Sequence, residues 1–85
     1  ERARLREGLS ERYAVAPADA PFLLVDVGGE RADPDAAVER VLARARDGGV
    51  VVRDARTFPR LDSHVRVAVR RPRENDLLLD ALLDR

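Results

Sequence analysis

The 85-residue chain carries 16 basic and 16 acidic residues, so its formal charge is zero. It is 45 % hydrophobic, with three aromatics and no cysteine. That balance excludes a general nucleic-acid binder, which needs a basic excess, and three aromatics are too few for a base-stacking platform. The absence of cysteine removes disulfides and thiolate metal sites. Length allows one domain, and a unit this small buries only roughly 60 % of the surface its unfolded chain exposes. No apolar run approaches the roughly 20 residues of a membrane span. With no disulfide staples and no signal peptide, a cytoplasmic setting is expected. The chain opens on Glu1 rather than Met, which points to a piece of a longer polypeptide. All 16 basic residues are arginine. Without a lysine the chain cannot supply the amine of a Schiff base.

Residues 1–12 read as a helix, with Leu5 and Leu9 on one face and Gly8 weakening it. Residues 14–21 carry two prolines and read as extended or turning. Phe22–Val27 is a nearly continuous apolar run, expected as a central strand buried on both faces. Gly28 and Gly29 end it. Asp33-Pro34 opens a helix, Asp as cap and Pro at the first position. Ala37, Val38, Val41, Leu42 and Ala45 then line one face, and Gly48-Gly49 stop it. Val50–Arg53 reads as a short strand, residues 54–63 as a loop. His64–Arg70 alternates, Val65, Val67 and Val69 on one side and Arg66, Ala68 and Arg70 on the other. Pro72 begins a last helix with Leu78, Ala81 and Leu82 inward and Leu77, Leu79 and Leu83 widening its apolar stripe. The expected architecture is α+β (α/β). It has a small mixed or antiparallel sheet of about three strands with helices packed on it, in the order helix-strand-helix-strand-strand-helix.

Chemistry concentrates in residues 49–69. Arg53 ends one strand and Arg66 lies in the next. If these strands pair, both guanidiniums can face one side and receive a carboxylate or phosphate. An arginine among valines is costly to bury unpaired, so Arg66 needs an anion; the bland alternative is a solvent-facing strand residue. Arg56 is a possible accessory to that site, or a solvated loop charge. Arg70 reads as a surface charge near the last helix. His64, the single histidine, reads as a strand-edge polar residue, since nothing around it forms a metal set. Ser10, Thr57 and Ser63 lack the base and orienter of a nucleophile triad. Gly28-Gly29 lacks the rest of a dinucleotide fingerprint and reads as a turn. Asp26, inside an apolar strand, needs a partner that the sequence does not name; an arginine is one option. No catalytic, cofactor-binding or metal-ligating residue is identified in the chain.

PADAPFLLVDV, followed by a helix and then GVVVRDARTFPRLDSHVRVAVRRPRENDLLLDAL, resembles the end of the histidinol-phosphate aminotransferase group of fold-type-I pyridoxal-phosphate enzymes. Within the group it is most similar to the threonine-phosphate decarboxylases of cobalamin biosynthesis. The specific parts are VRD, a loop with FP and LDS, RVAVR, and a PxEN helix start. The resemblance implies that residues 1–13 end a linking helix and residues 14–85 form the C-terminal small domain. It also implies a large domain, outside this sequence, that holds pyridoxal 5'-phosphate on a lysine, and a homodimer in the parent enzyme. Arg66 would then bind the anionic group of a phosphorylated or otherwise anionic amino-acid substrate. Arg53 would help with its phosphate. The expected function is substrate binding within a decarboxylase, with a histidinol-phosphate or other aminotransferase as the alternative; the chain alone would be inactive. A free-standing, non-enzymatic small-molecule-binding module is the third reading. Two departures stand out. Arg71 occupies the place of a capping Thr or Ser, and Arg60 follows Pro59 where glycine is common, so that loop is expected to differ in shape.

Overall fold

The structure, a computed structural model, describes residues 1–16, 21–28 and 33–83. Its elements are α1 (Arg2–Leu9), β1 (Ala14–Val15), β2 (Phe22–Asp26), α2 (Pro34–Asp47), β3 (Arg53–Asp54), β4 (His64–Ala68) and α3 (Pro72–Leu82). The strands form one antiparallel sheet in the order β1-β2-β4-β3. The α+β architecture is as expected, with one strand more than the sequence suggested: Ala14 and Val15 pair with Asp26 and Val25. Within the proline-punctuated stretch, residues 17–20 lie outside the described residues, as does Gly29 of the expected turn.

Burial follows the pleat. In the β2–β4 ladder, Leu23 faces Val67 and Val25 faces Val65, all four fully buried. The alternate pairs, Phe22–Ala68, Leu24–Arg66 and Asp26–His64, are only partly buried. Residues two apart share a face, so the apolar cluster that joins Leu23, Val25, Val65 and Val67 to helix residues Leu5, Leu9, Val38, Val41, Leu78 and Leu82 puts the helices on one side of the sheet. The expectation that β2 is buried on both faces is therefore corrected. Its hydrophobic run is nearly continuous, yet the helical layer covers one face alone, leaving Phe22 and Leu24 half-covered on the other.

The helices start and stop for local reasons. Asp33 Oδ1 accepts from the Ala36 N–H at 3.1 Å, and Pro34 occupies the first turn, as the sequence predicts. Gly49 (φ 72°) follows the last residues of α2. Val50 sends its N–H back to the Ala45 carbonyl at 2.9 Å, and Val50 and Val52 pack against the core. This is why the strand expected at Val50 begins only at Arg53. In α1, a Cβ at Gly8 would lie 2.8 Å from Leu79 Cδ2; the residue that weakens the helix also lets α3 approach it. Tyr13 Oη donates to the Leu82 carbonyl at 2.7 Å and satisfies an end of α3. Leu79 and, just past the end of α3, Leu83 join Leu78 and Leu82 in the core, whereas Leu77 is 48 % exposed and widens nothing.

α3 has no side-chain cap at Arg71. Asn75, inside the helix, instead ties the segment that leads into it. It is 1 % exposed. Its Oδ1 accepts from the Arg70 N–H at 3.0 Å, and its Nδ2 donates to the Arg70 carbonyl at 2.8 Å and to Glu1 Oε1 at 2.9 Å.

The loop between β3 and β4 contains a tight turn. The Leu61 N–H reaches the Phe58 carbonyl at 3.2 Å, with Pro59 and Arg60 at its two central positions. Arg60 has φ 68°. Proline first and positive φ second define a type II turn, whose second central position favours glycine. The backbone thus takes a shape that glycine favours although the residue is arginine. The left-handed region costs a side-chain-bearing residue about 1–2 kcal/mol, partly offset by glycine's greater freedom when unfolded. Arg60→Gly is expected to stabilise the fold by about 0.5–1 kcal/mol in a denaturant titration; a loss of stability would contradict the turn assignment.

Candidate anion-binding groove

β3 pairs with β4 so that Arg53 stands opposite Arg66 and Asp54 opposite Val65. Directly opposed residues of an antiparallel pair project to the same face. Since Val65 faces the helices, Asp54 does too, and Arg53 and Arg66 share the uncovered face. Two like charges placed directly across a ladder repel, so the arrangement favours a bound anion. Neither arginine makes an ion pair among the described residues.

Arg66 is further held from one side. Its guanidinium carbon lies 5.2 Å from the centroid of the Phe22 ring, within cation–π range. Phe22 pairs with Ala68, two residues along β4 on the same face. The small alanine leaves room above the sheet. A groove of about 520 Å³ runs there, bounded by Phe22, Val51, Arg53, Arg66 and Arg70. Among the described residues no carboxylate lines it. Arg66 is partly buried and Arg53 exposed, so the first offers a drier and stronger contact than the second. The groove can receive a carboxylate or phosphate on the forked donors and an apolar portion against Phe22.

The other residues singled out from the sequence have different places. Arg56 does not line the groove. Its guanidinium is bound by Asp54 (Nε–Oδ1 2.9 Å, Nη2–Oδ2 2.6 Å), Glu39 (Nη2–Oε1 2.6 Å) and Asp35 (Nη1–Oδ1 3.2 Å). These hydrogen bonds, the one to Asp54 foremost, push the Arg56 pKa further up, and Arg56 holds Asp54 below the usual carboxylate range. Arg70 is exposed, 3.9 Å from Glu74, and stands at the end of the groove. Asp26 accepts from Ser63 Oγ at 2.6 Å and from the Gly28 N–H at 3.1 Å. Gly28 is needed there, because a Cβ would sit 2.4 Å from Ser63 Cβ. Ser10 Oγ donates to the Arg6 carbonyl at 2.7 Å, an ordinary helix-end bond. His64 faces Asp26 across the ladder, and its Nδ1 is buried without a hydrogen-bond partner among the described residues. Among those residues no cluster fit to hold a metal occurs, and no helix is long and apolar enough to cross a membrane.

Sequence reasoning overlooked the Phe22 platform and the carboxylates around Arg56. The alternation of His64–Arg70 held the signal for the first, since it fixes Ala68 on the arginine face. Of the second, only Asp54 is near in sequence: Asp35 and Glu39 are 21 and 17 residues from Arg56.

No protein-family model matches the chain. The histidinol-phosphate aminotransferase of Xanthomonas campestris pv. campestris strain B100 is 39 % identical over 85 residues, covering 96 % of this chain and 21 % of that protein. Histidinol-phosphate aminotransferase 1 of Archaeoglobus fulgidus is 35 % identical over 82 residues, covering 96 % of this chain and 23 % of the relative. A crystal structure of a "putative aminotransferase" from Burkholderia pseudomallei K96243 superposes with a TM-score of 0.76 at 34 % identity, over 98 % of this chain and 23 % of that one. The chain thus spans 21 to 23 % of the length of these proteins. It is similar to a C-terminal fragment of a fold-type-I pyridoxal-phosphate aminotransferase. Within that class, the curated relatives named here are histidinol-phosphate aminotransferases.

Proposed function

We propose that the groove between Arg53 and Arg66 seats the anionic group of the substrate in an aminotransferase of the histidinol-phosphate type. The observation that carries this is the direct opposition of two arginines on the uncovered sheet face, beside Phe22 and with no carboxylate lining the groove. Arg66, partly buried, orients the anion and Arg53 completes its neutralisation; the phosphate of histidinol phosphate suits both forks. In this reading residues 1–13 end the linking helix and residues 14–85 form the small domain, in a cytoplasmic enzyme.

Pyridoxal phosphate supplies the electron sink in such enzymes. This chain does not fit that cofactor by itself, because it has no lysine for the cofactor's aldehyde. The amine, the remaining cofactor contacts and the homodimer interface belong to the large domain in this proposal. The contribution of the chain is binding and orientation. Holding a substrate by a fixed anionic end restricts its rotation over the cofactor, which is how small-domain arginines assist bond selection.

The decarboxylase expectation draws no support from the relatives, whose names are those of aminotransferases. The deciding experiment supplies the full-length gene product, loaded with cofactor, with histidinol phosphate and a 2-oxo acid, and separately with threonine phosphate. Amino transfer from histidinol phosphate is expected. Release of carbon dioxide from threonine phosphate in its place would replace this reading with the decarboxylase.

A further inference from the structure

β3 is only two residues long, yet Arg53 depends on it for its position opposite Arg66. A two-residue edge strand has little hydrogen bonding of its own to hold it. The neighbouring residue provides the fastening. Asp54 points to the helix side, where its carboxylate takes the Arg56 side chain as a two-pronged contact and also accepts the Arg56 N–H at 2.9 Å. The same guanidinium reaches across to Asp35 and Glu39 in the first turns of α2. Those two carboxylates lie four residues apart on one helix face and would repel without a cation between them. Arg56 keeps only 21 % of its side chain exposed in this cage.

We propose that Arg56 is a positioning residue. By bridging Asp54 to Asp35 and Glu39 it locks the edge strand onto α2, and thereby holds Arg53 opposite Arg66. The geometry requires the two effects to be linked: adjacent strand residues point to opposite faces, so anchoring Asp54 on the helix side fixes Arg53 on the groove side. This inference rests on the reading of the groove as the substrate site.

The test is a double-mutant cycle in the full-length, cofactor-loaded enzyme, with KM for histidinol phosphate as the readout. Arg56→Gln is expected to raise that KM about tenfold, and Arg53→Gln somewhat more. In the Arg53→Gln background, Arg56→Gln is expected to add less than about twofold, because the group it positions is gone. A general loss of stability would act equally in both backgrounds, so factors that multiply would overturn the proposal. If Arg56→Gln does not fold, Asp35→Asn combined with Glu39→Gln cuts the same bridge at its helix end and is read in the same cycle. An unchanged KM in Arg53→Gln would instead remove the groove assignment itself. A raised KM there with no effect of Arg56→Gln would remove the positioning role alone.

Discussion

In the full-length enzyme, Arg66→Ala is expected to lower kcat/KM for the anionic substrate by about two orders of magnitude while the cofactor absorbance stays intact. Truncating one partner of a buried charge pair costs about 2–5 kcal/mol, and each 1.36 kcal/mol is tenfold in rate. The lower-middle part of that range applies, because Arg66 is partly buried rather than sealed and Arg53 remains to hold the anion. Cofactor absorbance is the control: with no lysine among its 85 residues, the chain supplies no amine to bind the aldehyde. Steady-state kinetics beside an absorbance scan decide the matter. Retention of kcat/KM to within threefold would mean that the substrate's anion is held elsewhere.

The largest stability effect outside the apolar core is expected at Asn75. Replacing it with leucine keeps much of the volume and removes the bonds to the Arg70 N–H, the Arg70 carbonyl and Glu1. Each buried polar group left without a partner costs about 1–3 kcal/mol. With both backbone groups of Arg70 affected, about 3 kcal/mol is expected after partial rehydration. Native-state hydrogen exchange over α3 measures it locally, without assuming two-state unfolding. A change below 0.5 kcal/mol, on the scale of an ordinary surface substitution, would show that Asn75 does not secure the start of α3. The same cluster predicts a pH signature. Glu1 is held down from its ordinary 4.5 to about 2, by Arg4 first and Asn75 second. A depressed carboxylate pKa stabilises the fold above the unfolded value and loses that effect as pH falls through the folded one, so protection of α3 declines between about pH 4.5 and 2.

Much of this fold was legible because its signals are local. Asp33-Pro34, Gly48-Gly49 and the alternation of Val65, Val67 and Val69 each depend on a few adjacent residues. Arg53 and Arg66 could be placed on one face by periodicity, on the condition that their strands pair. What escaped was whatever depended on distant neighbours. Ala14–Val15 is too short for a pattern and becomes a strand only because β2 offers an edge. The Phe22–Val27 run looks like a strand covered on both sides, since apolar composition records what a strand tolerates and not which of its faces this chain covers. Arg56 looked like an accessory to the anion site by proximity in sequence. One position decides its company: it lies two residues beyond Asp54, which the pleat turns toward α2. Arg60 carries no visible sign of its turn, because the backbone there follows Pro59 and the closure of the loop.

The arrangement of strand lengths has a consequence for how the molecule behaves in a crowded solution. The two five-residue strands, β2 and β4, lie inside the sheet, where each is paired on both sides. The outer positions fall to two-residue strands, one of which is Arg53-Asp54. An open sheet edge is a template on which another chain can add a strand, and short or charged edges deny it the length it needs. The aggregation-prone sequence in this domain, FLLVDV, is therefore covered by β4 along Phe22–Asp26 and by β1 at its Val25–Asp26 end once folded. Its exposure is greatest before β1 and β4 have paired with it, so aggregation should rise with the unfolded population.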